Sequence, residues 1–225
     1  MATVAQSIIK FYQSLQAPAN LPKDVEVLHP QADERVQPVI EEFYTKYYSD
    51  NNPRGLLIGI NPGRFGAGTT GINFTGPKQL TGYCGIQHPF KPRSELSAEF
   101  IYEMITAYGG CEKFYGRFFI TSVSPLGYTR HGINLNYYDD PVLASSLRPW
   151  IIEMFRKQLS FTGKQEACIC IGGEKNYKYL KGINDECGFF KNIIPLAHPR
   201  FIMQYRRKQK EQYVQEYLAA LDRIW

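Results

Sequence analysis

Four short apolar runs divide the chain, and each stops on residues through which a sheet ladder cannot continue. Gly55 to Ile60 stops at Asn61-Pro62-Gly63, and Arg117 to Val123 at Ser124-Pro125-Leu126-Gly127. Ala167 to Ile171 stops at Gly172-Gly173, and Asn192 to Leu196 is followed by His198-Pro199-Arg200. Proline has no N–H for the ladder and glycine reaches positive φ, so these runs read as strands with sharp carboxyl ends. Between them apolar residues recur at helical spacing, as at Val39, Ile40, Phe43 and Tyr47 within Val36 to Tyr48. Further helices are predicted over Ser7 to Leu15, from Ser97 and Glu99 to Tyr108, from Pro141 to Phe161, near Glu174 to Leu180, and from Met203 to Ile224. Residues 61–98 and 128–140 read as polar loops, the first Gly/Pro-rich and of a length that is usually functional.

Strands alternating with helices imply parallel pairing through right-handed crossovers, which is the α/β class. The carboxyl ends of all four strands then share one edge, where open sheets of this kind hold their ligands. Asn61, Ser122, Gly172 and His198 are expected to meet there.

Composition narrows this picture only slightly. A chain of 225 residues fits one domain that buries roughly 70% of its unfolded surface. Apolar runs fall far short of a membrane span, and residues 1–20 lack the pattern of a cleavable signal, so an intracellular, soluble protein without a membrane partner is expected. Five cysteines without a CxxC pair fit reduced thiols better than disulfides or zinc. A net charge of +5 permits a polyanionic partner without requiring one.

Gly59-Ile60-Asn61-Pro62-Gly63, followed by Phe65-Gly66, Thr70-Gly71 and Phe74, resembles the first motif of the uracil-DNA glycosylase superfamily. The likeness is to its single-strand-selective monofunctional branch. His88-Pro89 with Ser94-Glu95-Leu96-Ser97, then Pro125-Leu126, Gly132-Ile133-Asn134-Leu135 and Leu196-Ala197-His198-Pro199-Arg200, resemble later segments in order, so the resemblance spans residues 54–200. It implies a three-layer sandwich with a central four-stranded parallel sheet flanked by helices. It also implies a monomeric DNA-repair enzyme that removes uracil, with neither metal nor cofactor.

Carried over residue by residue, the family's chemistry gives Asn61 the attacking water. An amide orients water but does not ionise it, so the reaction leans on departure of the base through an oxocarbenium-like state. His198 donates to the charge developing on the base's O2, Phe74 stacks under the everted base, and Ile60, Gly63 and Ser122 complete the base pocket. Gly63 leaves room for some 5-substituted uracils. Pro199 and Arg200 lie where the second motif grips DNA, and Arg206 and Arg207 follow them. As a run on a helix such cations are usually a solvated face, but here the neighbourhood of Arg200 favours phosphate contacts.

Two departures from the family pattern carry expectations. The middle motif's Asn, which reads the base's N3–H and O4 together, is Ser122 here, and one hydroxyl cannot make that two-point contact. Slower uracil excision or altered base choice is expected, with Asn73 or a backbone amide supplying the missing discrimination. The second motif is two residues shorter than the branch's usual form, which favours single-stranded or mismatched substrate. Gly63 to Thr70 superficially matches a phosphate-binding loop, but Thr69 occupies the lysine position. Two rival readings stand beside the enzyme: a non-catalytic module binding damaged or single-stranded DNA, and a small-molecule nucleoside hydrolase.

Overall fold

The structure is a computed structural model and describes residues 2–225, apart from the side chains of residues 163–165. Helix α1 (Val4–Gln13), strand β1 (Val25–Leu28) and helix α2 (Gln37–Tyr48) precede β2 (Arg54–Gly59). Two short helices, α3 (Ala67–Thr70) and α4 (Pro77–Gln79), interrupt the long loop before α5 (Leu96–Tyr108) and α6 (Cys111–Tyr115). Then come β3 (Phe118–Ser122), β4 (Gly127–Arg130), β5 (Ile133–Leu135) and α7 (Pro141–Thr162). The chain closes with β6 (Gly163–Ile171), α8 (Gly173–Cys187), β7 (Asn192–Leu196), α9 (Pro199–Tyr205) and α10 (Lys210–Ile224).

The main sheet is four-stranded and parallel, in the order β3-β2-β6-β7. The chain steps from β2 to β3 and then crosses back over β2 to reach β6. That reversal opens a crevice at the carboxyl ends, the usual ligand position of doubly wound sheets. β2 is buried on both faces, which suits its unbroken Leu56-Leu57-Ile58 run. The two faces of β3 separate the layers. Phe118 packs edge-on against Tyr108 of α5 and Trp225 beyond α10, whereas Phe119 meets Tyr44 and Tyr48 of α2 and Phe161 of α7.

The structure revises several boundaries. Residues 128–140 are not simply loop. β4 pairs antiparallel with β1 on one side and β5 on the other, making a second, three-stranded sheet. These strands are short, and β1 lies a hundred positions upstream of its partner, so no local alternation announces them. Gly127 is required where this sheet meets the first motif, since a Cβ there would lie 2.2 Å from the Pro62 carbonyl oxygen. Helix α5 begins one residue earlier than expected, at Leu96, capped by Glu95, whose carboxylate accepts from the backbone of Ser97 and Ala98. The final helix is broken: α9 ends at Tyr205, Arg206 leaves helical geometry (φ −130°), and α10 starts at Lys210. Separate helices let α9 pack on α5 while α10 packs on both α5 and β6.

At the opposite end of β2, the fully buried Arg54 donates to the carbonyls of Tyr115 (2.9 Å) and Asn52 (2.7 Å) and to the Asp50 carboxylate (2.9 Å). Its guanidinium also lies over the Tyr48 ring. Arg54→Ala strips these acceptors of their donor and opens a cavity. A loss of about 3–5 kcal/mol in unfolding free energy is expected by urea denaturation.

Candidate active site

At the carboxyl edge of the main sheet lies a cavity of about 400 Å³ lined by residues from every strand end: Asn61 after β2, Ser122 ending β3, Gly172 after β6 and His198 after β7. Ile60, Gly63, Phe74 and Arg200 share the same wall. A larger groove of about 690 Å³ lies at the amino end of the sheet between α1 and α7 and contains none of these residues.

Asn61 is clamped by backbone. Its Oδ1 accepts from the Tyr137 N–H (3.1 Å), and its Nδ2 donates to the carbonyls of Leu135 and Pro62 (3.3 Å each). The segment after β5 thus fixes the rotamer, which explains why the small sheet stands beside the cavity. One lone pair of Oδ1 remains for a further donor.

His198 is the N-cap of α9, its Nδ1 accepting from the Arg200 N–H at 3.1 Å. A ring nitrogen that accepts carries no proton, so the neutral imidazole bears its hydrogen on Nε2. Burial lowers the pKa to about 4, and the nearby Arg200 charge adds to the effect. The fold therefore favours the neutral ring. That stabilisation is complete above the ordinary value of 6.5 and is lost as pH falls from there toward 4. The His198 imidazole signal in NMR is expected to stay neutral from pH 8 down to about 5, with no inflection near 6.5 in the single-turnover rate.

Phe74 has left-handed backbone (φ 52°), unusual for a residue with a large side chain. Thr70 holds it there: its hydroxyl donates to the Thr75 carbonyl (2.6 Å) and accepts from the Ile72 N–H (3.2 Å). The ring lies 6.1 Å from the His198 ring and presses on β2, where a Cβ at Gly59 would come within 2.8 Å of it. At Gly63 the nearest neighbour of an added Cβ is Asn134 Nδ2 at 3.5 Å, so this position opens onto the cavity.

Ser122 is buried in the cavity wall, and its hydroxyl hydrogen is already spent. The hydroxyl donates to Asn73 Oδ1 at 2.5 Å. Pro199 is also differently placed from the expected DNA-gripping position: it is buried as the first residue of α9, where its missing N–H costs nothing. The second motif thus opens a helix. What faces outward is Arg200, Phe201 and Tyr205, with the Arg206 guanidinium over the Phe201 ring at 5.7 Å and Arg207 exposed nearby.

Several lining residues carry no role in the sequence reading: Tyr138, Phe201 and Tyr205, and also Glu95, which enters it only as part of the Ser94–Ser97 segment. Phe201 and Tyr205, four apart on a helix beside a basic run, form a legible pair; Glu95 is fixed only by its cap. Among the described residues no group of three or more His, Cys, Asp or Glu is placed to hold a metal ion. Among the described residues no helix is long and apolar enough to cross a membrane.

Residues 45–222 match the family model described as the uracil DNA glycosylase superfamily. The crystal structure of wild-type Pedobacter heparinus SMUG2 is 43% identical and superposes with a TM-score of 0.95 over 99% of this chain and 98% of that one. No curated protein matches the chain.

Proposed function

Because this chain belongs to the uracil DNA glycosylase superfamily, we infer that its cavity performs the family's reaction with the residues described above. The protein is a monofunctional uracil-DNA glycosylase of the SMUG-like kind, hydrolysing the N-glycosidic bond of uracil in DNA to leave an abasic site. The observation that carries the residue assignment is the convergence of a clamped carboxamide, an aromatic ring and a neutral imidazole in one cavity.

In this reading the free lone pair of Asn61 Oδ1 accepts a hydrogen bond from the nucleophilic water and directs it at the anomeric carbon. The sugar–base bond breaks largely before that water bonds, through an oxocarbenium-like state. Electron pair and negative charge pass to the base, and the Nε2–H of His198 donates to its O2. A neutral donor suits this role, since it stabilises the anion without protonating it. Phe74 supplies the stacking surface, a contact of roughly 1–3 kcal/mol. Ile60 and Gly63 complete the wall, and the opening at Gly63 supports tolerance of 5-substituted uracils.

Everting the nucleotide costs a few kcal/mol. Arg200 and its exposed neighbours Phe201 and Tyr205 are the groups available to offset it. Arg206 and Arg207 are assigned to phosphates; Arg206→Ala and Arg207→Ala should each flatten the plot of log Kd against log salt by about 0.7–0.9. A hydrophobic core running from Val4 to Ile224 supports one domain. A cavity completed by a single chain supports action as a monomer, and reduced cysteines suit an intracellular setting.

The test is incubation with uracil-containing oligonucleotide, single-stranded and duplex, followed by alkali. A cleaved strand is expected, fastest from single-stranded substrate. Saturable binding without alkali-labile product would assign a binding module instead, and turnover of free nucleosides would assign a small-molecule hydrolase. Hypoxanthine, xanthine and 5-hydroxymethyluracil in the same assay define the base range.

A further inference from the structure

We propose that Asn73, and not Ser122, reads the hydrogen-bonding edge of the everted base, with Ser122 and Tyr12 holding its carboxamide in one orientation. The proposal rests on the glycosylase reading of the cavity and adds to it the residue that discriminates between bases.

Asn73 is buried in the cavity wall beside Phe74. A carboxamide offers two acceptor lone pairs and two N–H donors. One lone pair of Oδ1 takes the Ser122 hydroxyl hydrogen at 2.5 Å, and Nδ2 donates to the Tyr12 hydroxyl at 3.5 Å. One lone pair and one N–H are left. A half-satisfied amide in a buried wall is costly unless a ligand completes it.

The ligand edge that completes it carries a carbonyl oxygen next to an N–H. Uracil presents that edge at O4 and N3–H. Cytosine presents the reverse, an amino group next to an acceptor nitrogen. An amide turned by 180° would exchange its oxygen and nitrogen and match cytosine, so whatever fixes its orientation also fixes base choice. In the observed pairing Ser122 donates to Oδ1 while Nδ2 donates to the Tyr12 hydroxyl, which is the orientation that matches uracil. The Tyr12 ring is stacked on Tyr44, which keeps its hydroxyl beside Nδ2. Ser122 is at best a one-point reader: with its hydrogen given to Asn73 it keeps acceptor lone pairs for N3–H but no donor for O4.

This pairing also gives α1 a part in the site, for it delivers Tyr12. Ser122 and Asn73 lie 49 positions apart, and the left-handed turn at Phe74 sets the path along which both Asn73 and the Phe74 ring border the cavity.

The test compares single-turnover excision of uracil and cytosine from the same single-stranded oligonucleotide by the parent, Asn73→Asp, Asn73→Ala, Ser122→Ala and Tyr12→Phe. Binding to an oligonucleotide with an abasic analogue and thermal melts are measured in parallel. Asn73→Ala is expected to slow uracil excision at least tenfold with abasic-analogue binding unchanged. Asn73→Asp, close in shape and a second safeguard against misfolding, should shift the uracil-to-cytosine rate ratio at least tenfold toward cytosine. Ser122→Ala and Tyr12→Phe should narrow that ratio in proportion to their loss of orientation. Variants that lose melting temperature or rate while keeping the parent's ratio would overturn the proposal and leave Asn73 a structural residue. A parent protein that excises no uracil would instead overturn the glycosylase reading, so the two failures are distinct.

Discussion

His198→Ala is expected to lower the single-turnover rate of uracil excision by about 10²–10³-fold, equivalent to roughly 2.7–4 kcal/mol of transition-state stabilisation. The size follows from what the side chain does in each state. In the bound substrate Nε2–H meets an ordinary carbonyl oxygen, whereas in the transition state it meets an oxygen carrying most of a negative charge. Only the difference accelerates the reaction, so substrate Kd should change little while the chemical step collapses. The substitution has a second consequence, because Nδ1 caps α9; losing the cap costs about 0.5–2 kcal/mol of stability. His198→Asn separates the two, since its short polar side chain can still cap the helix but cannot reach the base. A slow His198→Asn with the parent's melting temperature would place the loss in chemistry. A variant that excises at the parental rate would remove His198 from the mechanism.

Asn61→Ala is expected to produce a loss of about 100-fold or more, also in the chemical step. Here the missing group touches the water and not the base, so abasic-product affinity and uracil-DNA binding should be retained. The clamp predicts a cost in stability as well. Removing the carboxamide leaves the Tyr137 N–H and the Leu135 carbonyl without their partner, worth about 1–3 kcal/mol for each group left dry. Measuring rate, Kd and melting together checks the assignment: rate loss with intact binding supports it, whereas weakened binding at unchanged rate would make Asn61 a substrate contact only.

The two residues were accessible from sequence for a local reason. Pro62 and Pro199 each sit just past a strand, where a backbone without an N–H ends a ladder whatever surrounds it. Asn61 and His198 are therefore assigned to strand ends by chemistry within a few residues. The same holds for Asn192–Leu196, whose observed limits match the apolar run, and for the parallel order implied by alternating strands and helices.

Orientation is another matter, because it depends on partners that no local pattern specifies. The clamp on Asn61 comes from residues 135–137, reached only when β4 finds β1 across the sequence. The imidazole tautomer depends on Pro199 opening a helix, which makes His198 an N-cap and buries a residue assigned to the DNA face. Ser122 reads from sequence as a weakened base reader, whereas in the fold its hydroxyl hydrogen is spent on Asn73. By itself the sequence determined the four strands of the main sheet and the stops at their carboxyl ends, though not β1, β4, β5 or the break before α10, since steric and hydrogen-bonding limits act over a few neighbouring residues. Tertiary structure alone decided which way the polar groups at those ends point, since a buried donor or acceptor turns toward whichever partner the packed chain brings within about 3 Å.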